Sequence, residues 1–193
     1  MPNRVCISIP TKGSVRAEMM EWTLRAFVEL APEVEVQIVN EGLPLEHVRN
    51  VQAQRFLATK CSHLFLLDAD CVPVQGTIQR LLSHDLPIVS APHPTLKGPD
   101  RVLMALTASN GAYTEHRPQQ GLQMVDAVGS SGLLIERSVF EKLPRPWFRC
   151  QYDEDGLLYR TEDFYFCERA KEHGYDIWAD YELVQAHIKA MAV

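Results

Sequence analysis

The chain has 193 residues, 46% hydrophobic and 23% charged, with a formal net charge of −6 at neutral pH. At about 150 residues per domain, this length fits one globular domain with a real core. There is no basic block, so a nucleic-acid groove is not expected, and no apolar run approaches the roughly 18 residues of a membrane span.

Five cysteines, Cys6, Cys61, Cys71, Cys150 and Cys167, are an odd number without a Cys-x-x-Cys spacing. They suggest reduced thiols in a cytoplasmic protein, and argue against a disulfide framework or a zinc site. The first residues, Met1 to Ile9, hold too short an apolar core for a secretory signal.

Val5–Ile9 reads as a strand stopped by Pro10. A helix is predicted over about 14–30, where Met19, Trp22, Ala26 and Leu30 keep a 3.6-residue rhythm. Val34–Val39 half-alternates as a second strand. The loop Asn40-Glu41-Gly42-Leu43-Pro44 leads into a helix running through Ala53, Phe56 and Leu57 to about Thr59. Leu64-Phe65-Leu66-Leu67 is continuously apolar, as a central strand buried on both faces would be. After Asp68-Ala69-Asp70-Cys71-Val72-Pro73, a short helix turns Ile78, Leu81 and Leu82 inward, and Pro87–Ala91 is a fourth strand. This alternation predicts an α/β fold of parallel βαβ units with right-handed crossovers.

Residues 92–121 contain His93-Pro94, Lys97-Gly98-Pro99 and a polar run, and are expected to form a mobile loop around one short strand. Leu122–Val128 and Leu133–Glu136 read as strands separated by Gly129-Ser130-Ser131-Gly132. Ser138 followed by Glu141 reads as a capping box for a short helix that Pro144 ends. A helix is predicted over Thr161–His173, stopped by Gly174, with strands near 175–179 and 183–188. No linker or internal repeat divides residues 1–193.

In an open parallel sheet, ligands bind beyond the carboxyl ends of the strands. That rule selects Pro10-Thr11-Lys12, Asn40-Glu41 and the pair Asp68/Asp70. The helix after the second strand starts at the same edge and adds Arg49 and Asn50. A cation and hydrogen-bonding groups beside two carboxylates suit a nucleotide diphosphate held with a divalent metal. The Asp-x-Asp pattern alone says little, because Asp153-Glu154-Asp155 repeats it in a polar stretch. Asp68 and Asp70 differ in following an apolar strand. A spacing of two on extended backbone points both side chains the same way. One carboxylate can then take a hard cation and the other sugar or ribose hydroxyls, while the cation neutralises charge on a departing diphosphate. The competing use of such residues is a solvated turn.

The run LFLLDADCV over 64–72, preceded by Arg49-Asn50, resembles the nucleotide-sugar half of GT-A-fold glycosyltransferases, especially their family-2-like group. Val128–Ile135 is similar to them too, as is Thr161–Ala170 continuing through Gly174-Tyr175 to His187. The likeness is collinear over nearly the whole chain. It implies a three-layer α/β/α GT-A-type (Rossmann-like) fold with a mostly parallel mixed central sheet. It also implies a single domain with a nucleotide-sugar half over 1–92 and an acceptor-side half over 93–193. The implied reaction moves a sugar from a UDP- or GDP-linked donor to an acceptor hydroxyl with Mn2+ or Mg2+.

By the same resemblance, Asp70 is the direct metal ligand, Asp68 lies nearer ribose or sugar, and the late His187 joins the metal. Pro10, Thr11, Asn40, Glu41, Arg49, Asn50 and Ala69 would line the nucleotide pocket. Glu162-Asp163 matches the acceptor-side motif, with Asp163 the general base of an inverting transfer. Helical spacing agrees in part, since Asp163 falls with Phe166, Cys167 and Ala170 on the inward face, and Glu162 with Tyr165, Phe166 and Arg169. An inward carboxylate at a helix start is costly unless it meets a partner, metal or substrate. Thr161 as an N-cap followed by acids is also what helix stability alone selects.

In Leu183–Ile188 the apolar residues 184, 186 and 188 share a face, and His187 is expected opposite them. The Gly129–Gly132 loop leads into a strand and lacks the dipole that makes helix N-termini bind anions. Ser131 and Gly132 are therefore expected to approach the donor sugar or acceptor. Trp147 is a stacking residue for a sugar face, with core packing as its competing use. Two other activities fit less well. A sugar nucleotidyltransferase needs a glycine-rich loop after the first strand, where Pro10-Thr11-Lys12-Gly13 has one glycine. A non-catalytic nucleotide-sugar or glycan-binding protein would not need Asp68, Asp70, Asp163 and His187 together.

Overall fold

Seven β-rich runs build the central sheet of the computed structural model, which describes residues 3–40, 44–97, 100–110 and 112–188. They are β1 (Val5–Pro10), β2 (Val34–Val39), β3 (His63–Leu66), β4 (Ile88–Ser90), β5 (Leu122–Val125), β6 (Leu133–Glu136) and β7 (Ile177–Asp180). Their spatial order is β5-β7-β4-β6-β3-β1-β2. Strands β1, β2, β3, β4 and β7 point one way, and β5 and β6 the other.

Five helices cover the two faces: α1 (Ala17–Leu30), α2 (Leu45–Leu57), α3 (Thr77–Ser83), α4 (Arg137–Lys142) and α5 (Glu162–Glu172). The strand period of two decides which face each side chain takes. Ile7, Ile9, Phe65 and Leu67 pack with Met19, Trp22 and Ala26 of α1 and Ile78 and Leu81 of α3. Their neighbours Cys6, Leu64 and Leu66 pack on the other side with Ala53 and Phe56 of α2, Phe140 of α4 and Phe166 of α5. The result is the expected three-layer α/β/α arrangement, with the carboxyl ends of β1, β2 and β3 on one rim.

Several local expectations change. β6 inserts antiparallel between β3 and β4, so those two are not neighbours; its Leu133, Leu134 and Ile135 are buried on both faces and fill that slot. Residues 92–121 are not a loop around one strand. Pro94–Lys97 pairs with Asp100–Leu103, and Ala105–Ser109 pairs with both Ala112–Glu115 and Ala127–Val128. The run 122–128 breaks at Asp126, which accepts the Ala108 N–H at 2.7 Å and pairs with Lys171 where the chain passes between sheets.

Ser138 lies inside α4 instead of capping it, because Glu136 occupies the extended N-cap position. Glu141 pairs with Arg137, whose guanidinium donates to the carbonyls of Phe56, Leu57, Thr59 and Cys61. Phe56 and Leu57 end α2, and Thr59 and Cys61 follow it, so Arg137 caps the exit of that helix. Residues 183–188 form no long strand either. A 3-10 turn over Tyr181–Leu183 precedes a two-residue pairing of Ala186–His187 with Cys71–Val72. All five cysteines are free, and among the described residues no helix is long and apolar enough to cross a membrane.

Candidate functional site

β3 delivers Asp68 and Asp70 to the rim, and the turn that follows is closed by the Cys71 N–H donating to the Asp68 carbonyl at 3.1 Å. Cys71 then pairs directly opposite His187, while the Ile188 N–H donates to the Asp70 carbonyl at 2.8 Å. Near the end of the described chain, His187 is thereby held against the Asp68–Asp70 turn. The expected face is inverted: Leu183 and Gln185 point inward and Ala186 outward, which puts His187 on the inward register.

His187 Nδ1 lies 2.7 Å from the Pro94 carbonyl oxygen. A carbonyl only accepts, so Nδ1 carries a hydrogen, and in the neutral ring Nε2 would offer its lone pair. That lone pair faces Asp70 Oδ2 at 3.2 Å. Two acceptors aimed at one another call for a proton or a cation between them, and a carbonyl bond on the far nitrogen is how metal-binding imidazoles are oriented. The donor set therefore fits a divalent cation. Cys71 completes a group in which one ligand atom from each of Asp70, Cys71 and His187 lies within 4.8 Å of the others. Burial, then Asp68 and Asp70, push the Cys71 thiol up to about 12.

Asp68 is placed differently. Its carboxylate pairs with the fully buried Arg49 guanidinium, leaving its side chain 29% exposed against 44% for Asp70. Arg49 Nη1 donates to Gln52 Oε1 at 3.1 Å, and Gln52 Nε2 donates to the Ser8 carbonyl at 2.9 Å. Among the described residues Arg49 Nε has no hydrogen-bond partner. Burial pushes the Asp68 carboxyl up, but the Arg49 guanidinium beside it holds it below the usual carboxylate range.

The acids at the head of α5 exchange their expected places. Glu162 is the deeper one at 6% exposed, on the stripe that continues through Phe166 and Ala170, whereas Asp163 is half-buried. Thr161 sits at the N-cap position, yet its hydroxyl donates to the Asp163 carboxylate, which also accepts the Phe164 N–H at 2.9 Å. Burial and then the neighbouring Asp163 charge push Glu162 up to about 7; Arg49 opposes this and Asp68 adds to it. Burial also raises Asp163, against its Thr161 and Phe164 hydrogen bonds and Arg49. Arg49 acts on all three acids, so α2, the end of β3 and the start of α5 converge there.

Other predicted residues serve the fold. Both Asn50 groups are engaged: Nδ2 donates to the Glu46 and Phe148 carbonyls, and Oδ1 accepts the Trp147 and Phe148 N–H groups. It ties α2 to the 147–148 segment instead of facing a nucleotide. Trp147 is 3% exposed, its indole N–H shared between the Phe140 and Leu143 carbonyls, and it presents no face to a sugar. Ser131 is fully buried and its Oγ accepts the Asp68 N–H at 3.1 Å. Gly132 has φ +77°, and a Cβ there would lie 2.0 Å from Gln185 Nε2 and 2.4 Å from the Ala91 oxygen. A Cβ at Gly129 would lie 2.4 Å from His93 Cε1. The glycine loop thus closes on the protein's own groups, which corrects the expected sugar contact at Ser131 and Gly132.

Pro10 ends β1 and Asn40 follows β2 at the rim, half-buried and exposed respectively. Thr11 Oγ1 donates to the Ser14 carbonyl and accepts the Gly13 N–H, forming a local turn. The Ala69 carbonyl accepts the Arg16 N–H at 3.1 Å ahead of α1. Glu41 lies outside the described residues. In the second acidic triplet, Asp153 Oδ1 accepts the N–H groups of Asp155 and Leu157, which is the plain turn use of such residues. Sequence reasoning missed His93 and Gln185. His93 is buried, packs edge-on against His187 with ring centroids 5.5 Å apart, and is pushed by burial toward its neutral form. Gln185 Nε2 donates to the Ala91 and Ser131 carbonyls. The carboxyl-end rule applied to β4 points at residues 91–93, and was the available signal for His93.

No family model and no curated protein matches the sequence. Among solved structures, A197 from STIV has a TM-score of 0.69 at 20% identity, covering 97% of this chain and 86% of that one. GalNAc-T7, in a structure with UDP, GalNAc and Mn2+, has a TM-score of 0.59 at 14% identity, covering 97% of this chain and 43% of that one. S. aureus TarS 1–349, in complex with UDP-GlcNAc, has a TM-score of 0.52 at 12% identity, with 97% and 60% covered. This chain thus spans less than two thirds of either transferase, and the fold it shares with them is the GT-A glycosyltransferase fold.

Proposed function

We propose that the chain is a glycosyltransferase that moves a sugar from a nucleotide-diphosphate donor to an acceptor hydroxyl, using a divalent cation held by Asp70 and His187. The observation that carries this reading is the Asp70 carboxylate 3.2 Å from His187 Nε2 at the carboxyl end of β3. Mn2+ or Mg2+, when bound, neutralises charge on the departing diphosphate. Asp68, with one oxygen engaged by Arg49, offers the other to ribose or sugar hydroxyls. Pro10, Thr11 and Asn40, at the ends of β1 and β2, would take the nucleotide side. GalNAc-T7 and TarS were captured with UDP and UDP-GlcNAc, which favours a UDP-linked over a GDP-linked donor.

Asp163 takes the proton of the acceptor hydroxyl as that oxygen attacks the anomeric carbon. Its ionised form is stabilised by the Thr161 hydroxyl and the Phe164 N–H. Glu162 beside it holds a proton up to about pH 7, so the two acids take different protonation states.

The test is a thermal-shift and nucleotide-release screen of UDP- and GDP-sugars with and without Mn2+. A UDP-sugar should stabilise the protein only with metal, and Asp70→Ala should lose that effect. Asp163→Asn should bind donor and fail to transfer. Donor binding without turnover would make the chain a non-catalytic nucleotide-sugar-binding protein. Neither stabilisation nor turnover at saturating Mn2+ would reject both activities.

A further inference from the structure

Cys71 has no part in the reading above, yet it forms the floor of the same site. It stands opposite His187 in an antiparallel pairing, so the two side chains project to one face. Its Sγ is 3.9 Å from Asp70 Oδ1 and belongs to the group whose ligand atoms all lie within 4.8 Å of one another. The residue is fully buried, so solvent does not reach it, but an ion seated between Asp70 and His187 would.

Hard cations such as Mg2+ and Mn2+ select carboxylate and phosphate oxygen, and leave a thiol aside. Zn2+ and Co2+ accept thiolate together with imidazole and carboxylate in tetrahedral sites. We propose that Cys71 is a third protein ligand, making Asp70, Cys71 and His187 a site for thiophilic divalent cations of the Zn2+ or Co2+ type. This inference rests on Asp70 and His187 being metal-binding residues. Metal–ligand bonds of about 2.0–2.3 Å set ligand atoms about 3.5 Å apart; Asp70 and His187 already stand 3.2 Å apart, so the Cys71 sulfur is the group that closes in, by up to about 1 Å.

When the ion binds, the S–H bond breaks, a metal–sulfur bond forms, and the proton passes to solvent. No oxidation or reduction is involved. A tetrahedral ion with three protein ligands keeps one open position. An ion that ignores the thiol keeps more positions for diphosphate oxygens. Zn2+ is therefore expected to compete with Mn2+ for the site and to inhibit donor binding.

The experiment titrates Co2+ into the metal-free full chain and into Cys71→Ser, following thiolate-to-cobalt charge-transfer absorption in the near ultraviolet. Wild type should develop the band to saturation at about one ion per chain, and lose it on addition of Zn2+. The band should be absent in Cys71→Ser and in His187→Ala, whereas Mn2+ binding, read by electron paramagnetic resonance, should change less than about threefold in Cys71→Ser. Should Cys71→Ser not fold, Cys71→Ala replaces it, and the wild-type spectrum is decisive in either case. Mn2+ binding with no Co2+ band in wild type overturns this inference alone, as does a band that survives loss of Cys71. Failure of wild type to bind either ion overturns the Asp70–His187 reading together with it.

Discussion

Replacing Glu162 by Gln tests whether the buried acid at the head of α5 carries a proton near neutral pH. Glu162 is 6% exposed, and burial, with the Asp163 charge second, lifts it from an ordinary 4.5 to about 7. An acid raised in this way binds its proton more tightly folded than unfolded. Its favourable contribution is whole below about pH 4.5 and is lost as pH climbs through about 7. At about 1.4 kcal/mol per pH unit, the gap sets a ceiling of about 3 kcal/mol. Arg49 favours the charged form, and side-chain relaxation helps it, so about 1–2 kcal/mol is expected. Glutamine keeps the shape and never ionises. Glu162→Gln should melt within about 2 °C of wild type at about pH 5, and about 3–6 °C above it at about pH 8. The assay is thermal unfolding followed by circular dichroism across that range. An offset that does not change with pH, or a wild type that gains on the variant as pH rises, would refute the reasoning.

Arg49→Met removes the fully buried cation that Asp68, Glu162 and Asp163 share. Breaking such a pair costs about 3–5 kcal/mol when both partners are buried, and the partial exposure of Asp68 places this case near about 3 kcal/mol by urea unfolding. Gly129→Ala drives a Cβ into His93 and should cost about 1–3 kcal/mol; at least half of that loss should return in the double variant with His93→Ala, measured as a double-mutant cycle. Gly132→Ala should be worse and should not be rescued by Gln185→Ala, because the Ala91 carbonyl also obstructs the new Cβ and φ is positive. Trp147→Phe forfeits the hydrogen bonds to the Phe140 and Leu143 carbonyls and should lower stability by about 1–2 kcal/mol. Its KM for donor should stay unchanged if the ring belongs to the core.

The layers were legible because burial on both faces leaves a plain signal: Leu64–Leu67, Val5–Ile9 and the 19/22/26 rhythm of α1 all follow from periodicity alone. What periodicity cannot carry is which strands become neighbours. β6 slots between β3 and β4 from about 45 residues later in the chain, and no local pattern in 133–136 says so. Residues 92–121 misled for a related reason, since their pairings are short and draw on Ala127–Val128. At the site, the rim rule found Asp68, Asp70 and Arg49. Asn50 and Trp147 were misassigned because a residue type reveals what it can bond, not which partner reaches it first. The inward stripe of α5 through Phe166, Cys167 and Ala170 was read correctly, but the acid at its head differs by one residue, 100° on a helix, and Glu162 is the one that lies deeper.

That one-residue difference bears on which acid can act as a base. Two carboxylates in a common site titrate as a pair, and the proton goes to the member with fewer donors to its charge. Asp163 accepts the Thr161 hydroxyl and the Phe164 N–H, whereas Glu162 has its own backbone N–H as donor. Asp163 therefore ionises first, and Glu162 resists until about 7 because that charge already stands beside it. A double-mutant cycle follows from this order. In the Asp163→Asn background the neighbouring charge is gone, while burial, the larger cause, and the smaller effect of Asp68 still raise Glu162. The advantage of Glu162→Gln at about pH 8 should then shrink, by about a third to a half, without vanishing. An advantage that is equal or larger in that background would mean that Asp163 is not charged beside Glu162, and would remove it as the proton acceptor for the transfer.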